Sequence, residues 1–466
     1  MKIKNLFKIS LYVWLLLPAT AGSANAQQAG TPPSLKNLLN AALEKNYQLQ
    51  NRQLSARQAE SDLKKVQSSY LPRVNLNGSY THLNDELTFP DDLNNLLKGT
   101  QGLLVKEQNG MPFNAPLPEN TPLQDLPAIQ DQNFLRADVT GSVLLFSGLK
   151  VPMLSKAARH QVSALKWQTA RSRAKIIMET ASLYNKLAVL WQSEKVLEQS
   201  RTLLQEKKRF VEGALANGLA TPLDRRKIEL AEEELQARQL EFEMGRELLV
   251  AKMAQLTGYA ETQLQQIRPK LQEQVTVVPQ NSIMDRYDLK ALQEGANALN
   301  YRRKASMANY LPKVAAFGKY ELLQNSLTLL DPRWAVGLKL QWHIFDGLDA
   351  KREAQKHKLE QLKMQNRREE AVELLDLNLK QTTLELEKQQ QLVNMARKRA
   401  ANAQELLEMS SKEYRAGLSS LNDYLGSVRD REEAELKLVS SLYNLRMARL
   451  NRLEATEELH VAAFVQ

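Results

Sequence analysis

The chain has 466 residues, contains no cysteine and carries a formal net charge of +10. The absence of cysteine excludes disulfide bonds, thiolate metal sites and a lipidated cysteine at a signal cleavage site. The positive charge is interspersed with carboxylates and does not form the basic stripe typical of nucleic-acid-binding proteins. Glycine (18) and proline (16) are scarce for this length, which favours long helices over a compact mixed fold.

The sequence contains no recognisable catalytic motif. Its histidines lack the spacing of metal ligands, and there is no glycine-rich phosphate loop or nucleophile elbow. The many carboxylates lie at helix-surface spacings, where ion pairs with Lys or Arg account for them. We therefore predict no enzyme activity, no cofactor and no bound metal. The histidines are His82, His160, His343, His357 and His460.

Residues 1–26 have the pattern of a signal peptide. Three lysines precede a short apolar run that ends at Pro18, and Ala24-Asn25-Ala26 forms an Ala-x-Ala cleavage site. A retained transmembrane helix needs about 20 apolar residues, more than this run provides. We therefore predict that the chain is exported.

One stretch of the chain occurs twice, 199 residues apart. Phe146-Ser147-Gly148 leads to Gly218-Leu219 in the first copy, and Phe345-Asp346-Gly347 leads to Gly417-Leu418 in the second. The residues between these motifs are rich in helix formers. Each copy therefore predicts a very long helix, a tight turn at glycine and a second long helix that returns.

A capping box follows each turn. Thr221 and Asp224 have the required spacing in the first copy, and Ser420 and Asp423 have it in the second. In such a box the hydroxyl side chain caps the helix while the acid three residues on bonds back to the cap. We therefore predict that Thr221 and Ser420 cap the returning helices, with Pro222 at a first helical position that needs no N–H.

A second match extends the repeat. Tyr70-Leu71-Pro72 recurs 240 residues later as Tyr310-Leu311-Pro312, so 240 − 199 = 41 extra residues lie in the first copy. A helix predicted at 34–70 precedes the first motif. A helix opened by a capping box of Ser282 and Asp285 precedes the second.

The repeat divides the chain into predicted domains. After the signal peptide come a first repeat at 27–257, a connector at 258–281 and a second repeat at 282–466. Each repeat comprises a helix, two strands and a helical hairpin. The extra residues form a proline-rich loop at 83–133, with a short amphipathic piece near 93–105.

Four segments alternate between apolar and polar residues, which is typical of strands. In the fourth, Trp334 and Trp342 lie in one apolar row and would be about 20 Å apart along the axis of a barrel with tilted strands. This is close to the height of the apolar band between the aromatic girdles of a membrane barrel. A half-buried sheet over a soluble core is the alternative. The barrel is favoured because an exported chain offers little else to cover this face. The row is Trp334, Val336, Leu338, Leu340, Trp342 and Ile344.

The number of strands requires several copies of the chain. The smallest membrane barrels have about eight strands, and an open sheet in lipid would leave unpaired backbone groups. Four strands per chain therefore predict that copies share one barrel. The fold class expected is mainly α with a transmembrane β-barrel, in which long helical hairpins form a second, α-helical barrel.

Together these features resemble the outer-membrane factor family of TolC-like efflux proteins. The motifs Tyr-Leu-Pro, Phe-x-Gly and Gly-x5-Asp all appear twice, and the match extends over essentially the whole mature chain. The resemblance implies a homotrimer with a twelve-stranded barrel in the outer membrane and a helical tunnel in the periplasm. It also implies a periplasmic adaptor and an inner-membrane pump as partners, in tripartite efflux or type I secretion of small molecules or proteins.

The resemblance also implies roles for residues at the two turns. Adaptor hairpins would dock near Gly218, Leu219, Gly417 and Leu418. The periplasmic aperture would be constricted by Tyr414, Asp423 and Asp224. Two positions depart from the family pattern, since Gly426 replaces a second acid and Ser419 replaces an arginine. Helix capping is an alternative role for both aspartates, and the two roles are compatible.

Two other functions remain open at the level of sequence. A periplasmic coiled-coil adaptor or scaffold without a pore would explain the helices but not the row from Trp334 to Trp342. A passive porin would explain the strands but has no need of helices near 100 Å long. The cargo is not specified by these motifs.

Overall fold

A computed structural model describes residues 32–124, 128, 130–271, 283–323 and 332–464. The predicted signal peptide lies outside these ranges. The helices are α1 (Leu35–Lys45), α2 (Tyr47–Gln67), α3 (Asp91–Gln108), α4 (Lys150–Ala216), α5 (Pro222–Thr257), α6 (Glu261–Leu264), α7 (Tyr287–Met307), α8 (Asp349–Arg415) and α9 (Leu421–Ala455). The strands are β1 (Arg73–His82), β2 (Asn133–Phe146), β3 (Lys313–Leu323) and β4 (Trp334–Gln341).

Two long helical hairpins dominate the fold, as predicted. Helices α4 and α8 have 67 residues each, and the returning helices α5 and α9 have 36 and 35. At 1.5 Å per residue the longer arms extend about 100 Å. Within the described ranges, every helix is too short or too polar to cross a lipid bilayer.

The helix predicted at 34–70 is wrong as a single helix. Asn46 adopts an extended conformation (ψ 113°) between α1 and α2, and its side-chain oxygen accepts a hydrogen bond from the Leu49 N–H at 3.0 Å. Asn46 thus ends α1 and caps α2. Asparagine is favoured at this position because its side-chain oxygen accepts a hydrogen bond from an N–H group of the first turn that has no partner within the helix.

The capping box predicted at Ser282 and Asp285 does not open the next helix. Helix α7 begins at Tyr287 with Arg286 as its N-cap, and Ser282 lies outside the described residues. The Arg286 guanidinium donates to the carbonyl oxygens of Glu454 and Ala455, at 3.1 and 2.7 Å. These bonds anchor the start of α7 to the end of α9.

The four strands form one antiparallel sheet in the order β1-β2-β3-β4. Strands β2 and β3 pair across the two repeats, with Val139 opposite Tyr320 and Thr140 opposite Lys319. Within the described chain, the outer edges of β1 and β4 have no partner strand.

One face of this sheet is apolar along every strand. The register aligns Val314 with Leu340, Ala316 with Leu338 and Gly318 with Val336, all on the same face. These side chains are not covered within the chain, and Leu338 is 70% exposed. An apolar face of this size on a folded chain requires lipid or protein to cover it.

Two positions of the predicted apolar row lie outside the sheet. Strand β4 ends at Gln341, so Trp342 and Ile344 follow it. The Trp342 indole Nε1 donates to the Tyr310 carbonyl oxygen at 2.9 Å, where the sheet meets the helices. Trp342 therefore lies beyond the β4 ladder, at the junction with the helices.

The repeated motifs build the junction between sheet and helices. The Tyr70 hydroxyl lies 2.7 Å from the Ser147 hydroxyl, and in the second repeat the Tyr310 hydroxyl donates to Asp346 at 3.3 Å. Ser147 and Asp346 also accept from backbone N–H groups in the first turns of α4 and α8. The Tyr-Leu-Pro and Phe-x-Gly motifs thus act as a pair.

The hydrophobic core lies where the shorter helices pack on the hairpins. One cluster joins α1, α4, α5 and the connector through Leu38, Leu187, Met253 and Leu264. Another joins α1, α4 and α9 through residues that include Leu39 and Leu450. The loop predicted at 83–133 contains α3, which is 18 residues long and extends beyond the predicted amphipathic piece.

Candidate aperture at the hairpin tips

The two turns between the long helices have the same geometry. Gly218 and Gly417 have positive φ angles of 75° and 72°, a conformation that glycine adopts without steric cost. The N–H of Leu219 donates to the Ala214 carbonyl and that of Leu418 to the Glu413 carbonyl, as in a Schellman motif. The leucine side chains project outward, 83% and 80% exposed.

Both predicted capping boxes are formed. Asp224 Oδ2 accepts from the backbone N–H and the hydroxyl of Thr221, at 3.0 and 2.7 Å. Asp423 Oδ2 accepts from the same groups of Ser420, at 3.0 and 2.6 Å. The bond donated by the cap hydroxyl is the first cause of a lowered pKa in both carboxyls, so both caps favour the charged form.

A hydrophobic cluster packs the two tips against each other. Val211 and Ile228 from the first hairpin contact Leu407, Leu421 and Tyr424 from the second. Each hairpin turn is therefore held by the other repeat as well as by its own caps.

Lys207, which the sequence analysis did not single out, lies among three aromatic rings at this cluster. Its Nζ is 3.9 Å from the ring centroid of Tyr424, 4.7 Å from that of Tyr414 and 5.3 Å from that of Phe210. The residue is only 4% exposed. Cation–π attraction offsets part of the cost of burying the ammonium group. Lys207 from α4 thereby connects the first hairpin to α8 and α9 of the second.

Charge at this site depends on burial. Burial, together with a smaller effect of the nearby Arg415 guanidinium, lowers the pKa of Lys207 to about 8, while Glu206 opposes the shift. Burial raises the pKa of Tyr424 to about 12. Burial also raises the pKa of Tyr414, with a smaller contribution from the charge of Asp224. The charge of Asp224 on the first hairpin thus acts on Tyr414 of the second, and both are predicted aperture residues.

A cleft of about 320 Å³ opens beside the tips, between α5 and α9. Its wall includes Gly426, at which a Cβ atom would meet nothing within 4 Å. Arg238 of α5 and Glu432 of α9 pair at its lining, and the Glu432 side chain is 4% exposed. The glycine that replaces an acid thus leaves room in a groove between the repeats.

Comparison with known protein families gives a match within the second half of the chain. Residues 278–460 match the model of the family described as outer membrane efflux protein. This part of the chain is therefore similar to the outer membrane efflux proteins. The match confirms the predicted resemblance, the outer-membrane location and the role as an efflux channel. The family is one of channels, not of enzymes.

Solved structures confirm the predicted fold class. A membrane protein from Pseudomonas aeruginosa has a TM-score of 0.71 and 15% identity, covering 91% of this chain and 92% of that chain. VceC from Vibrio cholerae has a TM-score of 0.69 and 14% identity, covering 91% and 95%. CmeC from Campylobacter jejuni has a TM-score of 0.69 and 16% identity, covering 91% and 85%. A search of curated protein sequences finds no significant match.

Lys207 gives the tips of this efflux protein an expected pH response. If the tips separate and solvate Lys207, its pKa returns towards about 10.4. The open state then binds more protons between pH 8 and 10, so raising the pH favours the packed state. We expect the open probability of single channels to fall on the order of tenfold from pH 7.5 to 9.5.

Two substitutions test this response. Lys207→Met removes the titrating group and should leave the open probability nearly independent of pH over this range. Lys208→Met is the matched control, because Lys208 lies next to it but pairs with Glu232 at 2.7 Å outside the aromatic cluster. An unchanged pH response in Lys207→Met would contradict the assignment.

Proposed function

We propose that this chain is the outer-membrane channel of a tripartite export system and assembles as a homotrimer. Three copies contribute four strands each to a twelve-stranded barrel, and their helical hairpins form a tunnel in the periplasm. A periplasmic adaptor and an inner-membrane pump deliver small molecules or proteins to the tunnel. The observation that carries this proposal is a sheet that is apolar on one face and, among the described residues, unpaired at both edges.

The two free edges support a shared barrel. Lipid does not tolerate unpaired backbone groups, so β1 of one copy must pair with β4 of another. A pore-free scaffold gives no reason for an apolar sheet face, which makes the channel the better account.

The internal repeat also specifies the register between copies. Strands β1 and β3 are equivalent, as are β2 and β4, so β4 should meet β1 of the next copy as β2 meets β3. Thr140 opposite Lys319 corresponds to Lys339 opposite Ser79 of the next copy. Two residues further along, Ser142 opposite Phe317 corresponds to Gln341 opposite Asn77.

The tips have the features that an adaptor hairpin would need. Leu219 and Leu418 are exposed at the turns, and the cleft between α5 and α9 begins beside them. The cleft combines apolar residues such as Leu230 with charged ones such as Arg429. Docking at Gly218, Leu219, Gly417 and Leu418 would place the adaptor against both repeats.

Asp423 completes the capping box with Ser420, and we expect it also to act at the aperture. Three copies around a narrow axis would attract cations and allow polyvalent cations to block. Asp423→Asn retains an acceptor for the cap and removes the charge. We expect weaker cation selectivity and weaker block in planar bilayers, with less than about 1 kcal/mol lost in stability.

Asp224→Asn is the companion variant, because Asp224 forms the same box in the first hairpin and is the other aspartate predicted at the aperture. If Asp423→Asn leaves selectivity and block unchanged but lowers thermal stability, Asp423 is a capping residue alone. In that case Tyr414, together with Lys207, remains the candidate for holding the tips.

Membrane fractionation and light scattering test the proposed assembly. The protein should fractionate with the outer membrane and have the mass of three chains in mild detergent. A monomer in detergent would contradict the shared barrel, and a soluble periplasmic protein would favour a scaffold.

A further inference from the structure

The polar face of the sheet has an uneven distribution of charge. Arg73 and Lys313 both follow Leu-Pro and begin β1 and β3, so they occupy equivalent positions of the repeat at the helix end of the sheet. Gln341 lies opposite Lys313, and Lys339 is two residues away on the same face of β4. Lys339 and Lys313 are therefore diagonal neighbours, within reach of a common ligand.

The carboxylates of this face lie further from the helices. Asp138 is opposite Glu321, and Glu321 approaches Lys319 at 4.0 Å. Asp138 accepts from the Asn77 side chain at 3.0 Å. Among the described residues, no carboxylate lies within ion-pair distance of Arg73, Lys313 or Lys339.

The first turn of the neighbouring helix α4 adds positive charge near Lys313 and does not neutralise that lysine. Burial lowers the pKa of Lys150, and the charge of Lys313 lowers it further, so the two ammonium groups are near each other. The Lys150 ammonium donates to the Asn309 side chain at 2.9 Å. Asp346 lies at the same junction, but its oxygens accept from Tyr310 and from the Ala350 N–H.

We propose that Arg73, Lys313 and Lys339 form a basic collar inside the barrel that selects small organic anions as cargo. This inference rests on the proposed trimer, in which the collar contains nine positive charges on the water-filled side. Rings of Arg and Lys select anions in pores, and low-dielectric walls focus their field. The channel then has charge of opposite sign at two levels, basic where the barrel meets the helices and acidic at the tips.

Block by a trivalent anion tests the collar. Citrate is added on the side of the bilayer that carries the loop at 83–133. The solution is 0.1 M KCl, in which the Debye length is about 10 Å. The triple variant Arg73→Gln, Lys313→Gln, Lys339→Gln should raise the half-blocking citrate concentration by about tenfold or more. The charge-preserving variant Arg73→Lys, Lys313→Arg, Lys339→Arg should stay within about twofold of the wild type.

Lys319→Gln is a further control on the same face, because Glu321 already neutralises that lysine, and it should also stay within about twofold. Equal citrate block in the wild type and the triple variant would overturn the collar, even in a normally conducting channel. If the triple variant does not assemble, the single change Lys339→Gln should still raise the half-blocking concentration about threefold. A wild-type protein that forms no channel would instead count against the proposed function.

Discussion

Replacing Leu338 with arginine is expected to prevent assembly of the barrel. Leu338 lies on the apolar face of β4, opposite Ala316, and is exposed in the single chain. An arginine on the lipid face near the midplane of a membrane barrel costs about 2–4 kcal/mol per copy. Three copies share the barrel, so the cost applies three times. The measurement is the fraction of heat-resistant oligomer recovered from outer membranes.

Lys339→Leu is the matched control for assembly. Lys339 is the next residue along β4 and lies on the opposite, polar face. A leucine there replaces a charged side chain on the water-facing side of the sheet. It should leave the oligomer fraction nearly unchanged, even though it removes one collar charge. Equal loss of oligomer in the two variants would show that the assignment of faces is wrong.

Gly148→Ala is expected to destabilise the chain by more than about 3 kcal/mol. Gly148 has a φ of 61°, where a side chain costs about 1–2 kcal/mol. A Cβ atom would also lie 3.0 Å from the carbonyl oxygens of both Leu311 and Pro312. Backbone atoms of the other repeat cannot move aside as a side-chain end could. Denaturant unfolding of the purified protein measures the loss.

Gly347 occupies the equivalent position in the second repeat and should respond differently. Its φ is 67°, but a Cβ atom there meets nothing within 4 Å in the single chain. Leu71-Pro72 are the equivalents of Leu311-Pro312 in the other repeat. We therefore expect Leu71-Pro72 of the next copy, beside the free edge of β1, to contact Gly347. Gly347→Ala should therefore yield folded chains that fail to assemble. A stable Gly347→Ala oligomer would contradict the proposed contact between copies.

Local patterns explain what could be predicted from the sequence. The capping boxes at Thr221 and Ser420 each depend on residues three apart, so spacing alone identifies them. The two faces of β4 are also identified by spacing alone, because apolar and polar residues alternate along the strand. The split at Asn46 was missed because a helical composition surrounds it, although Asn is a favoured cap.

Contacts between distant segments could not be predicted in the same way. Two of the rings around Lys207, those of Tyr414 on α8 and Tyr424 on α9, lie more than 200 residues from it in sequence. The only local signal is that Lys207 interrupts the apolar spacing of Leu203, Leu204 and Val211 on α4. The pairing of β2 with β3 likewise joins the two repeats, whereas alternation within a strand does not specify its neighbour. Trp342 fits the alternation of β4, but the strand ends at Gln341 and the Trp342 indole bonds to the Tyr310 carbonyl instead.

Disulfide cross-linking between β4 and β1 tests the shared barrel most directly, because the chain has no cysteine of its own. Gln341→Cys combined with Asn77→Cys places two thiols opposite each other only if neighbouring copies pair in the register set by the repeat. Thr140→Cys with Lys319→Cys, partners within one chain, is the positive control. Gln341→Cys with Arg73→Cys, four residues out of register, is the negative control. We predict covalent trimers for the first pair and for it alone; monomers after oxidation of that pair would contradict a barrel shared between copies.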